Sequence, residues 1–333
     1  MENNGYPINN VVVIGMGALG LLFGQRIHET LGDEHFCFMM DEERAARHRQ
    51  DRYRINGEEK RFPIASPADF NAGGCRAAFR PDLIIVATKQ AGLEGARELA
   101  SVFVGDLSVD TTQHDSEAAE KQPRPIVISL LNGISSEDYL AETLGRERII
   151  DCVAIGMDAM REGTSLTYEN MGRLQLGVTD EAQRSSLEEL MAFLDKAGVP
   201  YEICDDIRRA MWVKFMMNVG ANQTCMVYGA TYKEALENSP AKDKLKAAMF
   251  EVIALAEKEG ITLTEQDYES GVNIFRNFRE GSYPSMQQDA LAGRKSEVEL
   301  FAGTVLRLAE KHGIETPVNA EFYRIIQERE RDL

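Results

Sequence analysis

The stretch Val11–Gly20, VVVIGMGALG, limits what this chain can fold into more than any other. Val11–Ile14 is a β-branched run suited to a buried strand, and it stops at Gly15. Apolar residues then recur at helical spacing from Ala18 to about His28. Glycines at 15, 17 and 20 occupy the joint between strand and helix. In a G-x-G-x-x-G joint the first glycine permits a tight turn and the second lets backbone approach a diphosphate. The third lets helix and strand pack closely. Amides of Gly15, Met16, Gly17, Ala18, Leu19 and Gly20 are therefore expected to face a dinucleotide, with the helix dipole behind them.

Three further apolar runs have strand character: HFCFMMD (35–41), RPDLIIVATK (80–89) and PIVISLLNGI (125–134). Buried strands alternating with helical patterns indicate parallel βαβ units, hence an α/β, doubly wound sheet. The polar, acidic stretch 105–125 between two of them is longer than compact units use, and is expected to be an inserted surface loop. IIDCVAIGMDA and GRLQLGV read as strands flanking a turn at Arg161-Glu162-Gly163. From Ser185 the pattern is helical almost to the end, with Ser185 and Glu188 spaced as a capping box and Gly198 as a stop. Helical segments are expected over 206–219, 240–260, 264–280, 284–312 and 317–330. At 333 residues, two domains are expected: a nucleotide-binding one over 1–180 and a helical one over 200–333.

A formal net charge of −17 argues against a nucleic-acid or anionic-membrane partner. It also means that any anion site needs its own local positive groups. The N-terminus has no basic n-region and no apolar run approaches a membrane-spanning length, so the chain reads as cytoplasmic. Its five cysteines are scattered without a CxxC, and its five histidines lack ligand spacing, so no metal is expected.

A dinucleotide site has a second signature, an acidic residue near the end of the second strand. Asp41 stands 21 residues after Gly20 and directly follows FCFMM. Its carboxylate suits the adenosine ribose hydroxyls and would repel a 2′-phosphate, which favours NADH. The same residue suits an N-cap for the helix that DEERAARHRQ begins. Arg44, Arg47 and Arg49 lie close in sequence and would reach a phosphate. Lys89 and Asn132 each follow a buried strand, where ligands bind in open α/β sheets.

The helical half holds a second polar set. In AMWVKFMMNVGANQT, Lys214, Asn218 and Asn222 recur every four residues within an apolar helix. Each step drifts by roughly 40°, so the three form one polar stripe. Further on, Ser285 has the look of an N-cap, followed by Asp289 and by Glu297 among apolar residues. An unbroken helix would put Glu297, twelve residues on, close to the azimuth of Ser285. Carbonyl reduction by a nicotinamide needs this inventory. The ketone oxygen becomes an alkoxide and takes a proton, and the carboxylate of a 2-oxo acid needs donors. A half-buried lysine serves as clamp and acid, amides donate without adding charge, and a carboxylate accepts from a substrate hydroxyl.

These residues carry a resemblance. VIGMGALG, ATK with Lys89, SLLNGI with Asn132, MWVKFMMNVGAN, and PSMQQDALAGRKSEVE with Ser285, Asp289 and Glu297 resemble the ketopantoate reductase (2-dehydropantoate 2-reductase) family over essentially the whole chain. The resemblance implies a Rossmann domain and a helical C-terminal domain, of the 6-phosphogluconate-dehydrogenase-like kind, with the active site in the cleft between them. It implies that Lys214 is the general acid and that Asn218 and Asn222 bind substrate. Ser285 and Glu297 would contact the substrate's hydroxyl and carboxylate end. Asn132 would sit between nicotinamide and substrate, and the backbone of Ala159 would touch the cofactor. The family usually prefers NADPH and often has an arginine after the second strand, where this chain has Asp41. The expected partner is a small 2-oxo acid, and the helical half has enough apolar surface for a homodimer. Two other readings stay open: a reductase of the same build acting on another 2-oxo acid or an opine-type substrate, and a catalytically idle nucleotide sensor.

Overall fold

In the computed structural model, residues 7–104, 125–237 and 239–333 are described, so the expected insertion lies outside them apart from Pro125. The chain divides into two compact units. One comprises Met1–Leu131 and Ser135–Ile207, the other Asn132–Ile134 and Arg208–Leu333.

The first unit is built on a five-stranded parallel sheet. Along the chain its strands are Val11–Ile14, Phe36–Met39, Ile64–Ala65, Leu83–Val86 and Ile126–Ser129, and in space they lie in the order 3-2-1-4-5. That order reverses direction between the first and fourth strands, where the first strand runs into the glycine joint. All four residues of each longer strand are buried, which is why their sequences are continuous apolar runs rather than alternating ones.

Two smaller sheets complete this unit. Tyr53–Ile55 and Glu58–Lys60 form a hairpin about Asn56 (φ 48°) and Gly57 (φ 90°). Tyr53–Ile55 pairs in parallel with Ser165–Thr167, which forms a second hairpin with Met160–Glu162. The turn expected at Arg161-Glu162-Gly163 falls later: Arg161 and Glu162 belong to the strand Met160–Glu162, and Gly163 (φ 58°) with Thr164 closes the hairpin. In the third sheet Arg173–Gly177 lies between Asp151–Ile155 and Tyr201–Ile203. The helix Arg184–Ala197 ends at Gly198 in the left-handed conformation, as expected. Its start differs from expectation. Gln183 is the N-cap, and the capping box joins Asp180 to Gln183 one turn earlier, so Ser185 and Glu188 do not form one.

The second unit is helical. Its central helix, Ile207–Tyr228, continues nine residues beyond the expected end, so Lys214, Asn218 and Asn222 share one unbroken helix. Trp212, Phe215, Met216 and Val219 bury its apolar face against a core that includes Ala248, Met249 and Val252 from the helix Ser239–Lys258. Each large side chain so buried contributes roughly 1.5–3 kcal/mol. The two helices approach closely at Gly220, where a Cβ would stand 2.3 Å from Met249 Cγ. The long helix expected over 284–312 is broken. Ser285–Leu291 ends before Gly293 (φ 63°), and a π-helical turn at Glu299–Gly303 precedes Thr304–His312. The Asp289–Arg294 ion pair, 2.8 Å, closes the break, and the left-handed glycine reverses the chain there. Among the described residues no helix is long and apolar enough to cross a membrane.

Candidate active site

The glycine joint gives each glycine a separate physical reason. Gly15 has φ 108°, and a Cβ there would lie 2.5 Å from the Ala87 carbonyl oxygen, at the end of the neighbouring strand. At Gly20 a Cβ would lie 2.0 Å from the Gly15 carbonyl oxygen, so this glycine lets the helix close onto the turn. Gly17 is different. Its φ is −68°, and the nearest atom to a Cβ would be the Ala87 oxygen at 3.6 Å, so the protein itself does not require a glycine there. Gly17 is also the N-cap of Ala18–Leu31, and no side chain caps that helix. Uncapped amides under a surface kept free of side chain fit a diphosphate.

Around this joint, Asp41 caps the helix Glu42–His48. Its Oδ1 accepts from the Arg44 amide at 2.8 Å, and the carboxylate is exposed. Lys89 is exposed where the strand Leu83–Val86 gives way to the short turn Gln90–Gly92. Ala159 is half-buried against the core of this unit. Among residues the sequence did not single out, Thr88 Oγ1 and Gln90 Oε1 are buried without a hydrogen-bond partner.

A hydrogen-bond relay anchors the backbone just before Asn132. The Leu131 amide donates to Ser129 Oγ (3.3 Å), whose hydroxyl lies 2.8 Å from Ser136 Oγ. Ser136 donates to Glu137 Oε2 at 2.8 Å. Glu137 is buried, and that burial pushes its carboxyl up to about 8. A buried carboxyl among short-chain hydroxyls gives no periodic signal in the sequence.

In the helical unit the polar stripe is joined to Ser285. Asn222 is only 4% exposed; its Oδ1 accepts from Ser285 Oγ at 3.0 Å and from the Met286 amide at 3.3 Å. A backbone amide can only donate, so the Asn222 atom facing it must be the oxygen. Asn222 Nδ2 then faces Asn218 Oδ1 at 3.3 Å, which turns the Asn218 amino group away from Asn222. Lys214 lies half-buried one turn before Asn218 on the same stripe. Ser285 is the first residue of its helix and Pro284 the N-cap, so the serine is not the cap expected of it. Its hydroxyl proton goes to Asn222 instead.

Glu297 reaches the unit by another route. It precedes the π-helical turn, and its Oε2 accepts from Asn132 Nδ2 at 3.3 Å. Asn132 is held by Gly133 (φ 97°), where a Cβ would lie 2.8 Å from Leu300 Cδ1. The chain turns at Gly293 before Glu297, so Glu297 does not take the azimuth that an unbroken helix would give it. Asp289 is buried and pairs with Arg294 at 2.8 Å. Among the described residues no cluster of three or more side chains has metal-binding composition.

Comparison with known proteins adds to this geometry. The profile described as "Ketopantoate reductase PanE/ApbA" matches residues 11–181, and "Ketopantoate reductase PanE/ApbA C terminal" matches residues 206–330. A 2-dehydropantoate 2-reductase of Streptococcus pyogenes serotype M6 is 23% identical over 329 residues, 97% of this chain and 98% of its own. Among solved structures, D-mandelate dehydrogenase with NADH and anilino(oxo)acetate has a TM-score of 0.79 at 22% identity, covering 96% of this chain and 98% of that one. A dimeric ketopantoate reductase from Staphylococcus aureus has a TM-score of 0.74 at 16% identity, covering 97% and 99%. At these identities the structural likeness shows the fold.

Proposed function

The chain belongs to the ketopantoate reductase family, and from that premise we propose that it reduces 2-dehydropantoate to (R)-pantoate, the step that leads to pantothenate and coenzyme A. The observation that carries the reading is the oriented stripe in the helical unit: Lys214, an Asn218 amino group directed away from Asn222, and Ser285 with its proton already committed. An idle sensor has no use for a proton donor aligned with directed amides.

Bound NAD(P)H supplies the hydride. Lys214 donates the proton to the carbonyl oxygen as it becomes an alkoxide, and its charge stabilises that oxygen beforehand. Asn218 Nδ2 donates to the substrate carboxylate. Asn222 acts as the positioning residue, since its oxygen and one amide proton are already engaged. Ser285 Oγ, its proton given to Asn222, accepts from the substrate hydroxyl. Glu297, oriented by Asn132 Nδ2, is the second acceptor at that end.

For the cofactor, Gly15–Gly20 hold the diphosphate. Asp41 offers its second oxygen to the ribose hydroxyls while the first caps the helix, which favours NADH. Asp41→Arg is then expected to shift the ratio of NADH to NADPH efficiency toward NADPH, and an unchanged ratio removes Asp41 from cofactor choice. The helical unit also leaves Ile274, Phe278 and Leu291 exposed, and the proposal includes a homodimer, to be read as twice the chain mass in light scattering.

The test is NADH and NADPH oxidation with 2-dehydropantoate beside a panel of other 2-oxo acids. Turnover of 2-dehydropantoate above the rest supports the reading. Turnover of another 2-oxo acid, with 2-dehydropantoate inert, overturns it.

A further inference from the structure

With a net charge of −17, a dianionic diphosphate nears this chain against its overall field. The N-terminus of Ala18–Leu31 offers only about half a positive charge. A full positive charge is supplied beside it from an unexpected direction. Arg161, in the strand Met160–Glu162, donates through Nη1 to the carbonyl of Met16, inside the glycine joint. Its Nε donates to the Gly163 carbonyl at 2.9 Å, which braces the guanidinium against its own hairpin. The hairpin is held in turn by the pairing of Ser165 with Arg54, one residue from Tyr53, whose hydroxyl lies 3.6 Å from Met16 Sδ.

This guanidinium has five N–H groups and spends two on those carbonyls. No carboxylate lies within ion-pair distance of it among the described residues, and Nη2 makes no hydrogen bond there. Its pKa is nevertheless held below the ordinary arginine value, first by desolvation and then by the charge of nearby Arg44, against the opposing pull of Tyr53 and Asp51. A guanidinium bonded into the glycine joint, with no carboxylate within ion-pair distance among the described residues and a helix N-terminus left without a side-chain cap, marks a place that an anion would neutralise.

We propose that Arg161 is a phosphate clamp for the cofactor, its guanidinium binding the diphosphate seated on the glycine joint. This rests on the dinucleotide-binding part of the function proposed above but not on the identity of the oxo acid. Because the diphosphate is common to both cofactors, the clamp acts on NADH and NADPH alike and does not choose between them.

The test is direct binding of NADH, NADPH and ADP-ribose by calorimetry, with adenosine followed by ligand-observed NMR, at several salt concentrations. Wild type, Arg161→Ala and Arg161→Lys are compared. Arg161→Ala is expected to weaken the three diphosphate ligands by a common factor of roughly tenfold or more, with a shallower salt dependence and unchanged adenosine binding. Arg161→Lys is expected to restore part of the affinity, since a point charge replaces a fork. Unchanged affinity in Arg161→Ala overturns the clamp. So does a loss confined to NADPH, which assigns the residue to the 2′-phosphate. An equal loss for adenosine at unchanged salt slope also overturns it, because Arg161 would then only brace the Met16 backbone. Wild type that binds ADP-ribose through Arg161 yet reduces no 2-oxo acid supports the clamp and overturns the reductase.

Discussion

Met286 contributes only a backbone N–H to the polar stripe, yet that donor orients two amides. It fixes Asn222 with its oxygen toward Met286, and Asn222 then fixes Asn218 with its amino group outward. Asn222→Asp tests this relay at nearly constant shape. The introduced carboxylate still accepts from Ser285 and Met286 but has nothing to donate to Asn218. Asn218 would then turn its amino group inward and show its oxygen to the substrate carboxylate. The expected result is a KM for the oxo acid raised by roughly tenfold, the scale of one misdirected hydrogen bond, with cofactor affinity unchanged. Steady-state kinetics beside a cofactor titration separates the two, and an unchanged KM contradicts the relay.

At the scale of elements, the glycine joint makes two different demands. Gly15→Ala meets both a positive φ and the Ala87 carbonyl, so it is expected to destabilise the fold by about 1–3 kcal/mol or more. Gly17→Ala meets neither and is expected to leave the melting temperature nearly unchanged while weakening cofactor binding. Thermal melts paired with cofactor titrations check this; equal melting losses would mean that Gly17 serves the fold instead. The joint was legible in the sequence because strand, spacing and helix are all local. The parallel strands were legible too, since burial on both faces writes a continuous apolar run. The hairpin about Asn56-Gly57 was not read, because its three-residue strands are too short to show a period. The break at Gly293 was missed because AGRKSE carries charges that a helix face would also tolerate. Long-range bonds were out of reach altogether: Asn132 meets Glu297 across 165 residues, and Arg161 meets Met16 across 145. Sequence spacing gives the azimuth of residues on one helix and nothing about a partner from elsewhere.

At the scale of the whole molecule, Glu137 ties stability to pH. Burial raises its carboxyl from an ordinary 4.5 to about 8, against the lowering effect of the Ser136 hydrogen bond. The folded chain then holds a proton that the unfolded chain releases. The resulting stabilisation is full below pH 4.5 and is lost as the pH rises to about 8. Denaturant titrations are therefore expected to show stability falling over that window, with a flatter profile in Glu137→Gln. Parallel profiles in the two proteins contradict a buried, protonated Glu137. The most direct test of the reductase itself is 2-dehydropantoate-dependent oxidation of NADH and NADPH, measured in wild type and Lys214→Ala beside cofactor affinity. Wild type is expected to turn over, and Lys214→Ala to bind cofactor as wild type does while losing roughly 10²-fold or more in kcat, the scale of a lost general acid. Wild type inert toward 2-dehydropantoate, or a Lys214→Ala variant with near-normal turnover, would contradict it.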